Sequence, residues 1–273
     1  MKPEVRHYRN LEALSSVAAE FICTLAMEYV HEYGVFTIGL SGGKTPESLY
    51  ENLARRPYDV RMPWPRVHFF WGDERCVPPN HPDSNFAMAF RVLISKVPVP
   101  SQNVHRIPAE IEPPEDAAKA YERILRGFFE SSIKSDVPSP SSGKGELLSS
   151  FGLVLLGMGK DGHTASLFPG DKALEEGRRW VAAVRDPHGS PPVPRITLTL
   201  PMINRAGCIL FMVSGYGKSE VVHSILEDPD TAGQYYPAAR VSPEGRVIWL
   251  IDEETVRPLS GSHVQSEESK SDY

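Results

Sequence analysis

Apolar residues fall along this chain in two rhythms that alternate. Leu11, Leu14, Ala18, Phe21, Leu25 and Tyr29 recur at helical spacing and predict an amphipathic helix over 10–33, stopped by Gly34. Val35 to Leu40 is a short run of β type, and Pro46 fits the first turn of a helix that continues to about Arg55. Val67–Trp71 predicts the next strand. Asp83 or Ser84 can cap a helix whose apolar face holds Phe86, Ala89, Phe90, Leu93 and Val97. A further helix is expected over 114–133, then strands at 151–156, 180–184, 196–200, 208–213 and 247–251, with a helix at about 217–227 before the last of them. Strands alternating with helices predict an α/β fold with a mostly parallel sheet and helices on both faces.

Four polar or glycine-rich segments interrupt this pattern, each directly after an apolar strand: 41–46, 72–75, 157–164 and 214–218. In a parallel sheet all four emerge at the carboxyl edge, where such folds place their ligands. Ser41-Gly-Gly-Lys-Thr-Pro46 is a glycine turn opening a helix. The backbone of Gly42 and Gly43 and the hydroxyls of Ser41 and Thr45 form a nest suited to a phosphate or to sugar hydroxyls. It is not a nucleotide P-loop, because Ile38 stands where the first glycine is required. Asp73-Glu74-Arg75 offers an arginine fork for phosphate or carboxylate oxygens, held by Asp73 or Glu74. Gly157-Met-Gly159-Lys-Asp-Gly162 matches Gly-x-Gly-x-x-Gly, but Pro169-Gly170 ends the segment before a crossover helix can form. No dinucleotide cofactor is expected.

His163 closes that loop, flanked by glycine and two residues after Asp161. It is the candidate general base. Read as a strand-to-helix turn, the segment places the ring at a helix N-terminus, which disfavours imidazolium. Asp161 orients the ring, holds a substrate hydroxyl or caps the short helix. Arg195 begins a strand and would have to reach in from a loop, while Lys218 belongs to a second glycine turn.

Bulk composition narrows the chemistry. The 273 residues, 41% hydrophobic, suffice for one large α/β domain or two small ones. A net charge of −6, with no basic block, gives no case for nucleic acid. Cys23, Cys76 and Cys208 are scattered and lack a Cys-x-x-Cys pair, so reduced thiols are expected. No His-x-x-x-His or carboxylate cluster suggests a metal, and no Gly-x-Ser-x-Gly elbow suggests a serine nucleophile. Hydrolysis would then use water and a histidine base, with no cofactor. No apolar stretch of membrane length and no signal core are apparent, so a cytosolic protein without membrane attachment is expected. The organisation expected is one domain over 1–258, with a mobile Ser/Pro-rich insertion at 135–150 and a disordered tail at 259–273.

Five blocks, in order, resemble those of the 6-phosphogluconolactonase family: Leu40-Ser-Gly-Gly-Lys-Thr-Pro46, Trp71-Gly-Asp-Glu-Arg75, Asp83-Ser-Asn85, Leu156-Gly-Met-Gly-Lys-Asp-Gly-His-Thr-Ala-Ser166 and Arg195-Ile-Thr-Leu-Thr-Leu. The resemblance covers roughly residues 10–256. It implies a modified Rossmann-like α/β fold and metal-free hydrolysis of 6-phospho-D-glucono-1,5-lactone, a sugar-phosphate lactone of the oxidative pentose phosphate pathway. It also implies that His163 activates water, and that Arg75, Arg195 and Lys218, helped by the Ser41–Thr45 turn, hold phosphate and ring oxygens. Which cation meets the phosphate stays open at this point. Related aminosugar-phosphate deaminases share the Asp-Gly-His turn but carry a glutamate five residues after the histidine, where this chain has Phe168. A non-catalytic sugar-phosphate-binding domain is the remaining alternative.

Overall fold

The computed structural model describes residues 3–132, 150–185 and 189–256. The expected insertion, Ser150 apart, and the expected tail lie outside the described residues. The strands are β1 (Glu4–Tyr8), β2 (Phe36–Leu40), β3 (Val67–Trp71), β4 (Asp73–Arg75), β5 (Leu153–Leu156), β6 (Val181–Val184), β7 (Arg195–Leu198), β8 (Cys208–Val213) and β9 (Arg246–Asp252). The helices are α1 (Leu11–Tyr33), α2 (Lys44–Leu53), α3 (Tyr58–Arg61), α4 (Asn85–Val92), α5 (Pro114–Ser132), α6 (Leu200–Ile203), α7 (Ser219–Glu227), α8 (Pro229–Ala232) and α9 (Glu253–Val256).

Six strands form a parallel sheet in the order β1-β9-β8-β5-β2-β3. Every residue of β2, β5 and β8 is buried, as central strands covered on both faces require, and their unbroken apolar runs supply the side chains. β1 is an edge strand of Glu, Val, Arg, His and Tyr, too polar to stand out in the apolar pattern. α1 stops at Gly34 as its sequence predicts, and its N-terminus carries a cap not read from the sequence. The Asn10 side chain accepts from Ala13 N, and Gly34 closes the helix at φ +78°. By length and composition α1 is apolar enough to cross a membrane, which corrects the expectation that no stretch reaches that length. Here it is a core helix: Leu14, Ala18, Ile22, Leu25 and Ala26 are buried, while Glu12, Glu20 and Glu28 face solvent.

The expected mostly parallel sheet is present, and a second, small antiparallel sheet stands at its margin. Strands β6 and β7 leave the parallel sheet and pair antiparallel with β4 in the order β4-β7-β6. Gly72 is the junction. Its N–H donates to Leu40 O of β2, and its carbonyl accepts from Leu198 N of β7, both at 2.8 Å. The charged segment 73–75 is therefore a strand rather than a solvated turn. In the large sheet, β2 leads outward to β3 and β5 leads the opposite way to β8. The order reverses between β2 and β5, which opens a crevice at their carboxyl ends.

Candidate active site

A cavity of about 370 Å³ occupies that crevice. All four polar segments reach it. Ser41, Gly42, Gly43 and Thr45 enter from the end of β2, Arg75 from β4, His163 from the loop after β5, Arg195 from β7, and Lys218 from the turn after β8. Of the residues singled out in the sequence for this chemistry, Asp161 and Glu74 stay off the cavity wall, and Asp161 touches His163, which lines it.

His163 Nδ1 lies 2.5 Å from Asp161 Oδ1, and the His163 backbone N–H also reaches that oxygen at 3.2 Å. With Nδ1–H donated to the carboxylate, Nε2 is the nitrogen left to accept a proton. Partial burial pushes the Asp161 carboxyl up, but the hydrogen bonds and charge of His163 outweigh it and hold it below the usual aspartate range. Gly159 makes this pairing possible, because a Cβ there would overlap the imidazole. Gly162, at φ +74°, supplies the left-handed turn between the partners.

No helix follows His163, which corrects the strand-to-helix reading. Residues 164–167 form a tight turn in which Leu167 N donates to Thr164 O at 2.9 Å, with Ala165 at φ +48°. A helix dipole therefore plays no part, and Asp161 caps nothing. The ring is placed by packing and by side-chain bonds. Thr164 Oγ1 donates to Gly157 O at 2.8 Å and Ser166 Oγ to Asp73 Oδ2 at 2.7 Å. Phe168 is buried against the imidazole, with ring centroids 4.6 Å apart.

The two arginines face each other across the small sheet, with Arg75 and Arg195 in direct register. Arg195 needs no loop to reach in, since the antiparallel pairing brings the first residue of β7 to the cavity. Arg75 is not held by its neighbouring carboxylates as expected. Its Nη1 donates to Asp83 O at 2.6 Å. Strand alternation separates the three charges, putting Asp73 and Arg75 toward the cavity and Glu74 away from it. Glu74 is buried at the start of α4, accepting from the backbone N–H groups of Arg75, Asn85 and Phe86 and from Ser84 Oγ at 2.8–2.9 Å. Burial pushes its carboxyl pKa up, opposed by those bonds. The Nε atoms of Arg75 and Arg195 are buried without a partner, and burial pushes the Arg195 guanidinium pKa down. Two paired cations with unmet donors lining one cavity form a site short of negative charge.

The rest of the lining is also anion-seeking. α2 begins at Lys44 with no side-chain cap, so its first N–H groups lack a side-chain partner, and its first residues line the cavity. Lys218 donates to Ser214 O at 2.9 Å, and burial pushes its ammonium pKa down against the pull of Asp252. Asp73, Tyr50, Asn85, Ser214 and Asp252 support this site; Asp73 bonds Ser166 and Asn85 rather than Arg75, and the other four carry no individual signal in the sequence. Asn85 is legible there only within a motif block. Asp252, the last residue of β9, anchors Ser214 and Thr255 and carries no local signal.

A histidine paired with a carboxylate, set among cations and a helix N-terminus at the switch point of an α/β sheet, is the arrangement of a protein class suited to small anionic ligands. Comparison with known proteins narrows the class. The model of the family described as glucosamine-6-phosphate isomerases/6-phosphogluconolactonase matches residues 9–249. A 6-phosphogluconolactonase of Synechocystis is 40% identical over 261 residues, covering 94% of this chain and 100% of that protein. The chloroplastic 6-phosphogluconolactonase 3 of Arabidopsis thaliana is 39% identical over 92% of this chain and 74% of its own. The crystal structure of a Thermotoga maritima 6-phosphogluconolactonase superposes with a TM-score of 0.75 at 32% identity, covering 92% of this chain and 100% of that one. The chain belongs to the glucosamine-6-phosphate isomerase/6-phosphogluconolactonase family.

Proposed function

We propose that the chain hydrolyses 6-phosphogluconolactone to 6-phosphogluconate in the pentose phosphate pathway, with His163 as general base. Relatives of that name at 40% and 39% identity over most of the chain support the reaction. The observation that carries the mechanism is the His163–Asp161 pair at 2.5 Å, with His163 lining one cavity with two arginines that have unmet donors.

Nε2 of His163 takes a proton from water as the water oxygen attacks the lactone carbonyl carbon. Asp161 fixes the tautomer and stabilises the imidazolium that forms, as in a catalytic triad. The tetrahedral oxyanion collapses, the bond to the ring oxygen breaks, and the imidazolium returns its proton to that oxygen. The new carboxylic acid ionises and releases one proton to solvent. The uncapped start of α2, with Ser41 and Thr45 and the half-buried Lys218, takes the phosphate, because a dianion is what a helix N-terminus beside an ammonium favours most. Arg75 and Arg195 supply the remaining positive charge around the ring and its carbonyl.

Deamination of an aminosugar phosphate is disfavoured by Phe168. The residue packed on the base is a buried aromatic, with no proton to give. The free thiols Cys23, Cys76 and Cys208 fit the cytosolic location we propose, although one plant relative is chloroplastic. The direct test compares freshly generated lactone with glucosamine 6-phosphate. Proton release above the uncatalysed rate, without ammonia from the aminosugar, is expected. Ammonia release with no added lactone opening would overturn the reading.

A further inference from the structure

Two fully buried tyrosines spend their hydroxyls in the same way. Tyr50 Oη accepts from Ser41 N at 3.0 Å and donates to Ser41 O at 2.8 Å. Tyr121 Oη accepts from Trp71 N at 2.9 Å and donates to Trp71 O at 3.0 Å. Each hydroxyl satisfies both main-chain groups of one residue, as a neighbouring strand would. The two clamped residues stand side by side at the carboxyl ends of β2 and β3. Leu40 pairs in register with Trp71, and Ser41 is the next residue after Leu40. For Trp71, on the edge strand β3, the clamp replaces the missing neighbour. Ser41 lies past the end of β2, where the ladder has stopped.

The chain leaves the two clamps differently. After Trp71 it is tied again at once, because Gly72 is bonded to Leu40 on one side and to Leu198 on the other. Arg75 is thus held in place independently of Tyr121. After Ser41 comes the turn into α2, whose N-terminus has no side-chain cap. Tyr50 sits on α2 itself, two turns on, and reaches back to the residue from which the turn departs. It closes a loop of strand end, turn and helix, and so sets the angle at which the Gly42–Thr45 N–H groups meet the cavity.

We propose that Tyr50 is a positioning residue for substrate phosphate, acting through the Ser41 backbone and touching no substrate itself. This inference rests on the assignment of the α2 turn to phosphate under the proposed function. The test uses the full-length chain with Tyr50→Phe and Tyr121→Phe. Each variant loses one equivalent pair of hydrogen bonds, so both are expected to melt at a lower temperature. Three quantities separate them: kcat, KM for the lactone, and the Kd of inorganic phosphate measured by calorimetry. Tyr50→Phe is expected to raise KM and the phosphate Kd together by about tenfold, with kcat within about threefold of wild type. Tyr121→Phe is expected to move KM and Kd by less than about twofold. Unchanged KM and Kd in Tyr50→Phe, or equal shifts in both variants, would overturn the proposal and leave Tyr50 a structural residue. If Tyr50→Phe yields no folded protein, para-aminophenylalanine at position 50 keeps a donor while weakening the acceptor. An intermediate rise in KM and Kd supports the proposal, and wild-type values overturn it. A wild-type chain that binds phosphate without opening the lactone refutes the catalytic reading alone. A wild-type chain that binds no phosphate refutes the positioning role as well.

Discussion

Replacing Asp161→Asn removes the charge from the group that holds the base while leaving its size unchanged. The contact at stake is the 2.5 Å approach of Oδ1 to Nδ1 of His163. A hydrogen bond to a charged group is worth about 1.5–3 kcal/mol. The side chains of His163 and Asp161 remain 29% and 45% exposed, so solvent screening puts this pair at the lower end of that range. A loss of about 1.5–2 kcal/mol, felt mainly when the ring becomes imidazolium, lowers kcat by about 10- to 30-fold. Asp161 lies off the cavity wall, so KM should stay within about twofold. Proton release followed in a pH-stat, with freshly made lactone and the uncatalysed rate subtracted, reads both constants directly. A folded Asp161→Asn protein with kcat within about twofold of wild type would refute the orienting role. A raised KM with kcat intact would instead make Asp161 a binder of substrate hydroxyls.

Gly159→Ala tests the same pair by sterics. The added Cβ would overlap Nδ1 of His163 and lie 2.5 Å from Asp161 Oδ1, so kcat should fall by about 100-fold with circular dichroism unchanged; an active variant would show that the pair is dispensable. A second expectation concerns acid stability. Burial, then the neighbouring His105, pushes the His68 pKa down from 6.5 to about 4. Between those values the unfolded chain binds a proton that the native state refuses. Stability is therefore complete above 6.5 and lost as pH falls toward 4, by up to about 3 kcal/mol. Urea midpoints at pH 7 and pH 5 check this, and His68→Phe should flatten the slope; an equal slope in both proteins would refute it. Finally, dialysis against EDTA should leave turnover unchanged. Loss of activity restored by a divalent ion would show that a metal takes part.

The parts of the fold written in local pattern were legible. The apolar runs of β2, β5 and β8 and the helix α1 with its Gly34 stop appear where periodicity and the glycine place them. The elements that escaped depend on distant partners. β1 is polar because it is an edge strand. β4 is three charged residues that become a strand only because β7 lies alongside. The site was legible as a set of loops because each follows an apolar strand, and parallel strands deliver their loops to one edge. The wiring among those side chains was not. Nothing near Arg75 in sequence says that Asp83 O holds it while Glu74 turns to the N-terminus of α4. Tyr50 reads as one more apolar position on the inner face of α2, and its hydroxyl contact with Ser41 becomes visible only in three dimensions.

The most direct test of the account is the opening rate of fresh 6-phosphogluconolactone with wild-type protein and with His163→Ala, alongside the affinity of each for 6-phosphogluconate. Loss of a positioned general base lowers kcat by about 10²–10⁴-fold. Product affinity should stay within a few-fold, because the cations and the α2 turn remain. A well-folded His163→Ala protein that opens the lactone at the wild-type rate would contradict the central claim.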